Sequence, residues 1–209
     1  MFRIFKRKLR AFPEENFQLL ALLVVSKAAA AAHQLLPFAR LRNLSSDRQF
    51  LTEALALLLF VVLSRLPRHF AIEGEDALTE FGRTLEYEMI RLGPSVERAE
   101  IPGDSTIQNA LACALAIELG QLLFHAEAYA RFLEEPDSEF LNFCRTISFS
   151  ATDSSLIDGT LATAVFKFTV CEQLLGNTSG SSVRDILRIC DEFRESAIDG
   201  IDSFLRRAT

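Results

Sequence analysis

Ten consecutive apolar residues, Ala54 to Leu63, lie inside the stretch Phe50 to Leu66, FLTEALALLLFVVLSRL, and they limit what this chain can become. A helix built on such a run is greasy on every side, so it must be enclosed by other helices or by lipid. A membrane span needs about 20 predominantly apolar residues. This run is shorter, has Glu53 at its start and is bracketed by Arg48 and Arg65. The reading that follows is a central buried helix with the other helices packed around it.

The rest of the chain can supply that packing. Of its 209 residues, 49% are hydrophobic, which excludes disorder as the general condition and is enough for a large core. Pro and Gly are few, and no β-branched run alternates with period two. Phe, with 18 copies and no Trp beside it, fills cores without bringing a polar group that needs a partner. The expected fold is all-α: a single bundle-like domain of about seven helices over residues 13–209, preceded by a separate segment at 1–12.

Local signals set the expected helices in order. Pro13 followed by Glu14 and Glu15 opens a helix that carries five alanines and stops near Leu36, before Pro37. Ser46-x-x-Gln49 reads as a capping box for the central helix, which Pro67 ends. A third helix runs from about Glu75 to Leu92, with Leu78, Phe81, Leu85, Met89 and Leu92 on its apolar face and Glu80, Glu86 and Glu88 outside. Gly93-Pro94 should stop it, and residues 93–104 form the best candidate for a subdomain hinge. A fourth, buried helix is expected from Ser105 to about Glu134, a fifth over 137–149, a sixth from Ser155 to Leu175 and a seventh from Ser182 onward. The seventh carries Ile186, Cys190, Phe193, Ala197, Ile201 and Phe204 at three- to four-residue spacing. The bundle is expected to centre on the second and fourth helices.

Motifs for chemistry are sparse. No Glu-x-x-His pair of the di-iron type is present among three histidines, and neither H-E-x-x-H nor G-x-S-x-G occurs. His125 and Tyr129 are one turn apart, and Glu118 precedes His125 by seven residues; as one helix face these make a polar patch at the end of a buried helix. The four cysteines, Cys113, Cys144, Cys171 and Cys190, have no C-x-x-C spacing and read as buried free thiols in a reducing compartment. No metal, cofactor or catalytic residue is expected from these patterns. The sequons at Asn43 and Asn177 would matter only in a secreted chain, and Glu14, Glu15 and Lys27 fit a secretory signal poorly.

The main asymmetry is charge. Residues 1–68 hold 11 Lys/Arg against four acids, about +7, whereas the remainder holds 11 against 24, about −13. In MFRIFKRKLRAF, Phe2, Phe5, Leu9 and Phe12 repeat at helical spacing, with Arg3, Lys6, Arg7, Lys8 and Arg10 between them. If the first two long helices form a hairpin, this segment lies at the same pole as Arg65 and Arg68. Such a pole suits docking to an acidic protein partner or to an anionic membrane surface, or folding back onto the chain's own acidic face. Nucleic acid is disfavoured because the acidic body would repel phosphate.

The expected function is therefore a non-enzymatic interaction protein, an adaptor or assembly subunit. It would be cytoplasmic, at the inner face of a membrane in the lipid case, and a homo- or hetero-oligomer is compatible with its hydropathy. The alternative expectation is a binder or enzyme for an apolar small molecule, with a pocket among the fourth to sixth helices where Phe and small residues accumulate.

Overall fold

The computed structural model describes residues 9–38, 44–72, 74–98, 117–136, 138–146, 160–174 and 181–209. Among these, seven α-helices follow one another: α1 (Asn16–Leu35), α2 (Leu44–Arg65), α3 (Glu75–Arg98), α4 (Gln121–Glu134), α5 (Ser138–Thr146), α6 (Thr160–Phe168) and α7 (Ser181–Ala208). One π-helical turn, Thr169–Leu174, continues α6. The chain is all-α among the described residues apart from a single isolated bridge between Arg10 and Phe70.

The ten-residue apolar run decides the architecture, because α2 has no polar face to leave in water. Phe50, Leu51, Ala54 to Leu59, Val61 and Val62 are all buried. Helices α1, α3, α4, α6 and α7 surround it. At about 25 cal/mol per Å² of apolar surface, such enclosure is the main term holding the bundle together. Asn16–Leu35 and Gln49–Arg68 are each long and apolar enough to cross a membrane by length and composition, and 72% of the second stretch is buried inside the bundle.

Small residues bring the neighbouring helices close. On α1, Ala21, Ala28, Ala29, Ala31 and Ala32 are buried against the core. On α7, Gly200 lies under Leu23, and a Cβ added there would sit 3.6 Å from the leucine methyl. Lys27 of α1 donates to Ser196 Oγ of α7 at 2.6 Å along this seam. The apolar stripe of α7 is buried as its spacing requires: Ile186, Cys190, Phe193, Ala197 and Ile201, joined by Ile189 and Leu205.

Several boundaries depart from the sequence reading. Gly93-Pro94 does not stop α3, which continues to Arg98, so 93–98 is helix and not hinge. Pro94 forfeits one backbone hydrogen bond without ending the turn. The central helix begins at Leu44, so Ser46 falls within its first turn and not at its cap. The fourth helix does not run through to Glu134 in one piece. Gly120 has φ of +91°, a left-handed conformation that suits glycine, and α4 begins only after it. The signals read at Ser105, Ser155 and Asn177, and Cys113, lie outside the described residues; Cys144, Cys171 and Cys190 are buried.

Candidate functional site

Glu53 is the one charged side chain between Arg48 and Arg65, and it sits at the threshold of the apolar run. Stranding a carboxylate there is costly unless it is hydrogen-bonded. Both of its oxygens are engaged. Oε1 lies 3.1 Å from His125 Nδ1, and Oε2 accepts from the Tyr129 hydroxyl at 3.3 Å. His125 and Tyr129 stand one turn apart on α4, so one carboxylate bridges both. Phe60 of α2 stacks on the Tyr129 ring with centroids 6.3 Å apart.

This triad forms one wall of a cleft of about 200 Å³ between α2, α4 and α6. The rest of the lining is apolar: Ala128, Val165 and Phe168, with Thr169 at the first position of the π-helical turn. Phe140 and Phe143 of α5 support Phe168 from behind, with ring centroids 5.7 and 5.5 Å away. A π turn widens the helix locally, and such turns recur at functional sites.

The register of α4 is set from outside by Glu86 of α3. That carboxylate is completely buried and accepts from the backbone N–H of Gly120 at 2.9 Å, Leu122 at 2.8 Å and Leu123 at 3.3 Å. The first amides of a helix have no partner within it, and Gly120 has no side chain with which to cap them. Gly82, one turn before Glu86, allows the approach: a Cβ there would come within 2.9 Å of Leu123 Cδ1. The sequence reading placed Glu86 on the outer face of its helix. Its partners are backbone amides, which no side-chain pattern reveals.

Electrostatics follow from the geometry. The hydrogen bond to Glu53 raises the His125 pKa above its ordinary 6.5, burial opposes it, and the carboxylate's charge adds to the rise. Burial, and then Glu53, push the Tyr129 hydroxyl well above its ordinary range, so it stays protonated and donating. Because the folded His125 holds its proton more tightly than the unfolded one, its contribution to stability is full below about pH 6.5. That contribution is lost as pH rises through the raised value. Urea midpoints measured from pH 6 to pH 9 should therefore fall in the wild type. In Glu53→Gln the fall should be shallower.

The polar patch expected at His125 and Tyr129 is present, with a different acid. Glu118 is exposed, ahead of the Gly120 turn and off the helix; Glu53, 72 residues before His125, takes the place considered for it. Among the described residues no group of three His, Cys, Asp or Glu side chains is placed to hold a metal ion.

The proposed docking residues are dispersed. Phe2, Arg3, Phe5, Lys6, Arg7 and Lys8 lie outside the described residues. Leu9 and Arg10 are exposed, and the Arg10 carbonyl accepts from Ala71 N–H at 2.9 Å. Two members of the set are turned inward. Phe12 packs into an aromatic cluster with Phe17, Phe70 and Phe81, because its ring completes the core there. Arg65 is buried and ion-paired with Asp202 of α7, because a charge at that depth needs a partner. Arg68 is exposed at the end of the same turn. Against known proteins, no family model, no curated protein and no solved structure matches this chain.

Proposed function

We propose that this protein is a helical binder of a small, mostly apolar molecule, taken up in the cleft between α2, α4 and α6. One observation carries the reading: the carboxylate at the edge of the apolar run holds an imidazole and a phenol at the wall of a cleft otherwise lined by Ala128, Val165 and Phe168. Apolar walls with a few convergent polar groups are what a small-ligand site requires. The imidazole is oriented through Nδ1, which leaves Nε2 as the nitrogen available to a ligand.

Toluene serves as a first probe. Its titration should give saturable NMR shifts at the methyls of Ala128 and Val165 in the wild-type chain. Ala128→Phe, which fills the cleft from its α4 side, should abolish those shifts while the fold's cooperative unfolding is retained. Toluene shifts at Val165 that persist unchanged in Ala128→Phe, or that never saturate, count against the reading.

A second reading, docking through the basic N-terminus, draws on the backbone bond from Ala71 to Arg10, which ties the end of that segment beside Leu66–Arg68 with Leu9 and Arg10 exposed. An adaptor of this kind would bind an acidic protein or an anionic surface. A chain lacking residues 1–8 should then lose sedimentation with phosphatidylserine vesicles, or capture by an acidic partner, and melt as the full chain does. Equal binding by the shortened chain in both assays would remove this reading.

A further inference from the structure

The cleft's size, walls and polar end narrow the ligand class, an inference that rests on the small-molecule reading above. An apolar cavity of roughly 150 Å³ accommodates benzene. The cleft here, at about 200 Å³, has room for one ring and one small substituent. Phe168 and Tyr129 offer aromatic surface, which favours a ring placed edge-on or offset. At the polar end both Glu53 oxygens are already engaged, so the carboxylate is not the group that greets a ligand. What remains is His125 Nε2, on the side of the imidazole away from Glu53, with the Thr169 side chain also on the lining. An imidazolium paired to Glu53 donates from Nε2, and a donor of that charge favours an anionic acceptor.

We propose that the cleft takes an aromatic carboxylate of benzoate size, its ring against Phe168, Tyr129 and Val165 and its carboxylate on His125 Nε2. The Glu53 charge does not forbid this, because the imidazolium stands between the two carboxylates and is nearer to the ligand's. The raised affinity of His125 for its proton keeps the donor form present toward neutral pH. Other charges near the ring are already committed or turned outward. Lys167 of α6 pairs with Asp191 of α7 at 2.6 Å, Arg131 stands over the Phe124 ring, and Glu127 is exposed. Binding of the anion should therefore follow His125 and weaken as pH rises.

The test titrates the full chain with benzoate and with toluene at pH 6 and pH 9, reading the His125 ring nitrogens and the Val165 methyls by NMR. Benzoate should bind at least roughly tenfold more weakly at pH 9 than at pH 6. It should weaken comparably in His125→Gln at pH 6, while toluene should bind alike in every case. Toluene binding by His125→Gln reports that its cleft is intact; should that variant fail to fold, the wild-type pH comparison decides alone. Benzoate binding that ignores pH, or is absent where toluene binds, overturns the carboxylate assignment and leaves the small-molecule reading standing. Failure of both probes to reach the cleft removes that reading as well.

Discussion

Glu86→Ala lowers the stability of the fold by about 3–4 kcal/mol in urea denaturation, on the scale set by buried groups left without a partner. The argument is one of backbone accounting. Three amides at the start of α4 find their acceptor on this one carboxylate, which has no solvent exposure. Alanine leaves the buried Leu122 and Leu123 amides without this acceptor, whereas the exposed Gly120 amide can turn to water. Each stranded amide costs about 1–3 kcal/mol, and fraying of the first turn recovers part of the sum. The negative charge also sits at the positive end of the α4 dipole, which adds to the loss. Glu86→Gln separates the two contributions. Its amide oxygen can still accept from Leu122 and Leu123, but its NH2 group then faces the Gly120 N–H. About half the loss is expected. His125 follows this turn directly, so the NMR signal of its ring should broaden or shift in Glu86→Ala as its approach to Glu53 loosens. An unfolding free energy within about 0.5 kcal/mol of wild type, the range of an ordinary surface substitution, would mean that Glu86 does not hold α4 in place.

Glu86 also shows which parts of this molecule can be read from its sequence. Where a residue's fate depends on neighbours within its own helix, periodicity suffices. The run from Ala54 to Leu63 could only be enclosed, and the stripe from Ile186 to Ile201 could only face inward. Where the fate depends on a partner far along the chain, periodicity is silent. Arg65 looks like the basic end of a helix, and only the crossing of α2 with α7 brings Asp202, 137 residues later, against it. Glu53 looks like a charge that interrupts a greasy run. Its pairing with His125 and Tyr129 needs α2 and α4 side by side. A signal was nonetheless available: a lone acid at the edge of an apolar helix and a His/Tyr pair on one face of another each needed a buried partner. Gly120 belongs with the local signals, since a glycine between Leu119 and Gln121 marks a possible left-handed turn, but the surrounding helix formers masked it. The π turn after Phe168 has no comparable local signature.

Phe12→Ala is expected to cost about 2–3 kcal/mol, below the full range for a wholly buried phenylalanine because this ring is half-buried. Its neighbours are Phe17, Phe70 and Phe81, at centroid distances of 4.9, 5.0 and 5.0 Å and steeply inclined to it. These join the segment before α1, the turn after α2 and the first half of α3 in one cluster. Edge-to-face pairs carry about 0.5–1.5 kcal/mol beyond area burial, so Phe12→Ala and Phe81→Ala should couple by about that amount in a double-mutant cycle. Deleting residues 1–12 should cost at least as much stability in urea as Phe12→Ala, because it removes the same ring together with the Arg10 carbonyl that accepts from Ala71 N–H. Residues 9–12 are bound to it through the Arg10 carbonyl and the Phe12 ring, so a partner-binding role for the N-terminus would have to be carried by residues ahead of them together with Leu9 and the Arg10 side chain. If deleting residues 1–12 is harmless, the aromatic cluster contributes little to stability, and Leu9 to Phe12 are again available for contacts outside the molecule.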